Sequence, residues 1–212
     1  RERRTCQNAS QWSTHWWSIH AQTSVSWFHV PLPHKLPPTD RVVTFFRHPT
    51  QRLLSALVHF VGCYQQAGCA CCSYRGSSGW GWSALTRHEA IHAVRLSNGS
   101  LAAVADVLRA RHGLVSCQAK MLLGMGCHAP TDDQLARAQI ASAAALVRDR
   151  LAFVGLSERY RESVCLWHAT YGGAVWSFEV QGSRDPGPEH DASVLGANFT
   201  DEADDIVYAA AQ

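Results

Sequence analysis

The spacing of apolar residues changes period at residue 47. Before it, Arg41 to Phe46 (RVVTFF) is a β-branched and aromatic run, which predicts a buried strand. After it, Leu53, Leu54, Leu57, Val58 and Val61 fall on one helical stripe, with Arg52, Ser55 and His59 on another face. This predicts a helix from Pro49 to Val61, with proline in the first turn, where a missing N–H costs nothing. Ser83 to Leu96 reads as an amphipathic helix on Leu85, Ile91 and Val94, and Ser100 to Arg111 as another, ended by Gly113. Residues 117–124 predict a short core helix with Met121, Leu122 and Leu123 inside. Thr131-Asp-Asp-Gln134 forms a capping-box pattern that opens an Ala-rich helix to about Arg150. Leu151 to Gly155 predicts a buried strand, and Ser157 caps a helix to about Tyr171, before Gly172-Gly173. Ser177 to Gly196 reads as a polar loop, and Thr200 caps a last helix. A helix-strand-helix order of this kind belongs to an α/β fold with a parallel sheet flanked by helices.

Residues 1–40 are irregular, and the prolines of Pro31 to Pro38 make that stretch an extended connector. At 212 residues the chain is one domain with room for a core. A net charge of +2 supplies no basic field for nucleic acid. No apolar run reaches the roughly 18 residues of a membrane span. Eight cysteines, an even number, combine with the sequons at Asn8, Asn98 and Asn198 to favour a secretory lumen, where disulfides persist and glycans are added. Cys63, Cys69, Cys71 and Cys72 crowd into a Cys/Gly-rich insertion loop over 63–82. Disulfides fit this loop better than zinc, because C-x-C-C does not match the paired C-x-x-C knuckles. The pairing is not readable from spacing.

Arg47 lies where the strand ends and the helix is about to begin. Free N–H groups and the positive end of the helix dipole gather at such a junction, and a guanidinium there matches phosphate geometry. An arginine at such a turn also serves simply to cap a carbonyl or to pair with a carboxylate. The spacing adds to the first reading. Arg47, Pro49, Arg52 and Ser55 give R-x-P-x-x-R-x-x-S after an apolar strand. This resembles the 3′-phosphate-binding motif of sulfotransferases that use phosphoadenosine phosphosulfate (PAPS), in particular the Golgi carbohydrate sulfotransferases, including the heparan sulfate 2-O and 6-O enzymes. His48 stands where the family usually has Asp.

Three further blocks resemble the same family, in the same order. Cys117 to Gly124 resembles its N-x-Q-T-[RK]-M-L-x-G segment; Gln118, Lys120 and Gly124 match, and Ala119 replaces Thr. Phe153 to Arg159 (FVGLSER) resembles its F-V-G-L-[TS]-E-[RF] block. Asp204-Asp-Ile-Val-Tyr208 resembles its terminal D-x-x-L-Y segment. The resemblance implies a P-loop-kinase-like α/β fold and sulfuryl transfer from PAPS to a carbohydrate hydroxyl on a glycan or glycoconjugate acceptor. It implies that Arg47 and Ser55 hold the nucleotide's 3′-phosphate. It also points to His20, in a segment similar to the family's G-H-[AV]-[DS], as the base that takes the acceptor's proton; an imidazole with a pKa near 6.5 suits that task. No metal is implied. The implied location is the Golgi lumen, as a type II membrane protein.

The family's upstream P-K-x-G-[GST]-[ST] loop, which cradles the 5′-phosphosulfate, has no counterpart before His20; Lys35 and Lys120 are the only lysines. The expectation is therefore a sulfotransferase fold incomplete at the N-terminus, its membrane anchor missing. Two alternatives stay open: a non-catalytic nucleotide- or glycan-binding relative, and a Cys-rich structural secreted domain. A nucleotide kinase is disfavoured, because no G-x-x-x-x-G-K-[ST] loop is present.

Overall fold

The computed structural model describes residues 32, 42–56, 102, 115–127, 135–180, 190–196 and 199–212. Strand β1 (Val42–Phe46) pairs in parallel with β2 (Leu151–Leu156), matching Val43 with Phe153, Phe45 with Gly155 and Phe46 with Leu156. Helix α1 occupies 49–56. It is followed by α2 (Cys117–Leu122), α3 (Arg137–Asp149), α4 (Tyr160–Tyr171), α5 (Ser177–Val180) and α6 (Glu202–Ala211). The described residues thus combine helices with a small parallel sheet, an α/β arrangement. The predicted helices over 83–96 and 100–111, and the cysteine cluster at 63–72, lie outside the described residues or almost entirely so.

The alternation of side chains along a strand sorts the sheet's two faces. Phe46 and Leu156 are buried in the main core with Ala119, Leu122, Ile140, Ala143, Val147, Ala203 and Val207. Helices α2, α3 and α6 supply the rest of that core. On the other face, Phe45 and Phe153 meet α4: ring centroids lie 5.6 Å apart for Phe45 and Tyr160, and 5.2 Å for Phe153 and Trp167. Strand β1 is therefore not buried on both faces as its composition suggested, since Val43 and Phe45 each remain 41% exposed.

Helix α3 buries Ile140, Ala143, Ala144 and Val147, an i, i+3, i+4, i+7 stripe whose small members let α6 approach closely. Its start differs from the expectation. Leu135 and Ala136 are non-helical, so Thr131 is not its cap; instead the Gln139 side chain accepts the Ala136 N–H at 2.9 Å. Helix α4 follows a 3₁₀ turn at Ser157–Arg159 and stops at Gly172, whose φ of 79° is a backbone conformation that glycine adopts without cost. Ser163 ties α4 to the end of β2: its hydroxyl accepts the Leu156 N–H at 2.9 Å. Asp201, not Thr200, caps α6. The stretch expected as loop after residue 176 contains α5 and a 3₁₀ turn at Ala192–Leu195.

A disulfide joins Cys117 to Cys127 across α2, and Cys165 is also disulfide-bonded. Among the described residues, no helix is long and apolar enough to cross a membrane.

Candidate functional site

Strand β1 delivers Arg47 to the carboxyl end of the parallel pair, and α1 begins two residues later. In α/β sheets, ligands settle outside this end of the strands. The Arg47 peptide is held from α2. Its N–H donates to Gln118 Oε1 at 2.9 Å, and its carbonyl accepts from Gln118 Nε2 at 3.0 Å. One primary amide thus satisfies both backbone groups of the residue where regular pairing to β2 has ended. The next N–H, that of His48, donates to Glu158 Oε1 at 2.8 Å, and Tyr208 Oη donates to Glu158 Oε2 at 3.2 Å. The His48 ring meets the Tyr208 ring edge-on, with centroids 5.4 Å apart.

This geometry answers the expectation for the junction in two parts. The helix start does attract an anion, but the anion bound to the His48 N–H is the protein's own Glu158 carboxylate. Arg47 Nε stands 4.0 Å from Glu158 Oε1, with both side chains about 30% exposed (29% and 31%). At that separation and exposure the pair contributes under about 1 kcal/mol, which leaves the guanidinium able to exchange this partner for a stronger anion. In chemistry, a guanidinium and a hydroxyl suit a phosphate. Ser55 lies on α1, two turns along and half-buried, and among the described residues no hydrogen bond joins it to Arg47. His20 lies outside the described residues.

Beneath the junction is a buried charged cluster that sequence reasoning missed. Lys120, Asp201 and Asp204 are 1%, 2% and 0% exposed. Arg52, the second arginine of the motif, reaches Asp204 Oδ2 with Nε at 3.3 Å and Asp201 Oδ2 with a terminal nitrogen at 3.7 Å. It is therefore a packing cation that joins α1 to α6. The two carboxylates also cap α2 from outside. Asp204 accepts the N–H groups of Gln118 and Ala119 at 3.1 and 2.9 Å, and Asp201 accepts that of Ser116 at 3.0 Å. Ser116 takes the left-handed φ of 60° to aim that N–H. Burial pushes the Asp201 carboxyl up to about 6, and the neighbouring Asp204 pushes the same way. Burial lowers the Lys120 ammonium, against the pull of Asp204 and Asp201. The predicted core helix is thus present, but its fully buried long side chain is Lys120, while Met121 and Leu123 are half-buried.

Gln118 and Glu158 were legible only as members of motif blocks. Nothing in local spacing says that either would reach residues 47 and 48. A second histidine pair lies elsewhere. His168 Nε2 is 3.2 Å from Glu179 Oε2, at the C-terminal end of α4, near the start of β2 and so away from Arg47. Among the described residues, no group of three or more His, Cys, Asp or Glu is arranged to hold a metal ion. No protein-family model, no curated protein and no solved structure matches this chain.

Proposed function

We propose that the chain is a PAPS-dependent carbohydrate sulfotransferase domain of the P-loop-kinase-like fold, in which Arg47 and Ser55 hold the 3′-phosphate of the nucleotide. The observation that carries this reading is convergence. Four blocks, at 47–55, 118–124, 153–159 and 204–208, each resemble the same family and are far apart in sequence. Their members Arg47, Gln118, Glu158 and Tyr208 meet through hydrogen bonds around one strand-to-helix peptide. Accidental matches to unrelated local patterns have no reason to converge. The disulfides at Cys117 and Cys165 fit the oxidising lumen the reading requires. In this reading His20 takes the acceptor hydroxyl's proton as that oxygen attacks sulfur, and the nucleotide bisphosphate leaves in line. The acceptor is a glycan, and the setting is the Golgi lumen.

One observation favours a second reading, nucleotide binding without transfer. Lys120, the lysine of the 118–124 block, is 1% exposed and committed to the buried cluster, so it does not face a nucleotide. Binding is therefore the first test. Calorimetric titration with adenosine 3′,5′-bisphosphate should show one site. Arg47→Ala should weaken it by about 1.5–3 kcal/mol, the worth of a hydrogen bond to a charged group. No binding, or equal binding by the variant, ends the phosphate-site reading. If binding holds, transfer of labelled sulfate from PAPS to heparan or chondroitin acceptors, assayed on a chain extended at its N-terminus, separates the two readings; labelled product supports the enzyme, and its absence supports the binding relative.

A further inference from the structure

We infer that Gln118 is a positioning residue for the anion-binding arginine, an inference that rests on the phosphate-site reading of Arg47. Arginine binds phosphate through a planar fork, so its affinity depends on direction as well as charge. Direction begins at the backbone, and Arg47 sits just past the last residue of β1, where the strand ladder no longer holds the peptide. Gln118 replaces the ladder. Its amide donates to the Arg47 carbonyl at 3.0 Å and accepts the Arg47 N–H at 2.9 Å, as a paired strand would.

Gln118 is itself well anchored. Its own N–H is held by Asp204 Oδ2 at 3.1 Å, and the neighbouring Cys117 is fixed by the disulfide to Cys127. Among the described residues the same device appears again. Gln51 of α1 donates to the His190 carbonyl at 3.0 Å and accepts the His190 N–H at 2.9 Å. That pair docks a distant segment onto α1. The Gln118 pair differs because the peptide it grips carries a partly exposed guanidinium.

Gln118→Ala leaves every charged group near Arg47 in place, yet it should weaken adenosine 3′,5′-bisphosphate binding about tenfold. The loss should depend on the fork. Lysine reaches anions as a point charge on a flexible stem and has little use for a fixed peptide. In an Arg47→Lys background, Gln118→Ala should therefore change affinity by less than about twofold. Titrating the wild-type chain, both single variants and the double variant with the nucleotide gives this cycle directly. Equal losses in the two backgrounds overturn the inference, because they assign Gln118 to general packing. Wild-type affinity in Gln118→Ala overturns it as well, while leaving Arg47's role intact. A wild-type chain that binds no nucleotide overturns the underlying site reading instead, and this inference with it. If Gln118→Ala fails to fold, Gln118→Met keeps the stem and removes both hydrogen bonds, and the same cycle is read with it.

Discussion

Gly155 shows how a single residue sets a face of the sheet. Phe45 pairs with it across the two strands, and the phenyl ring lies over the glycine. A Cβ at position 155 would stand 2.5 Å from the ring's Cε1 and 2.6 Å from its Cδ1. The reason for glycine in this block is therefore a close approach, not a turn. Gly155→Ala forces the ring off β2 and away from Phe153 and Tyr160, whose centroids it approaches at 6.1 and 5.6 Å. Because Phe45 is already 41% exposed, the ring can swing outward, so the cost belongs at the lower end of overpacking penalties, about 1–2 kcal/mol. Urea denaturation measures it. In a Phe45→Ala background the same substitution should cost almost nothing, and an equal cost in both backgrounds would place the strain elsewhere.

At the scale of elements, what the sequence made legible was whatever depends on near neighbours. Both strands, the long Ala-rich helix, the stop at Gly172 and the parallel pairing follow from periodicity and from the helix-strand-helix order. Element ends were less legible, because several are closed by partners that spacing cannot identify. Helix α2 is the clearest case. It has six residues and no side-chain cap of its own, too short to persist by propensity. Two carboxylates from α6 hold its first N–H groups, and a disulfide from its first residue, Cys117, to Cys127 closes the turn behind it. The candidate site divides in the same way. Arg47 was legible from a junction and a motif, whereas Gln118 and Glu158 acquire roles only when the chain brings distant blocks together. Since α2 depends on these outside supports, Cys117→Ala with Cys127→Ala should destabilise the fold by about 2–3 kcal/mol, the chain-entropy value for so short a loop. Thermal unfolding of the double variant without reductant checks this; adding reductant to the wild type would also break the disulfide at Cys165. An unchanged midpoint would mean that the α6 carboxylates suffice to hold α2.

At the scale of the whole molecule, α1, α2 and α6 are joined by four charges, three of them buried and the fourth, Arg52, 15% exposed. Arg52 comes from α1, Lys120 from α2, and Asp201 and Asp204 from the start of α6. Two cations cancel two anions, so the desolvation of each is offset by neighbours and by the α2 N–H groups. The balance is not even. Burial, then Asp204, raise the Asp201 carboxyl to about 6, while the Ser116 N–H and Arg52 oppose that rise without cancelling it. An unfolded aspartate titrates near about 3.9. Between these two values the folded chain binds a proton that the unfolded chain does not, so folding is favoured as pH falls through this range. The contribution is full below the unfolded value and is lost as pH rises through about 6. Its sign is opposite to that of an ordinary salt-bridged acid, whose contribution is lost on acidification. Lys120 acts on the other side: burial lowers its folded value below 10.5, so its contribution grows as pH rises toward that value. Other groups also titrate, and Asp201→Asn isolates this one, because an amide keeps an acceptor oxygen for the Ser116 N–H and never ionises. Urea unfolding of both proteins at pH 7.5 and pH 5 should show the wild type gaining about 1 kcal/mol relative to the variant on acidification, the linkage value for these two titration points. Parallel profiles would mean that Asp201 stays ionised across the range and that Arg52 and Lys120 hold it more firmly than its burial opposes.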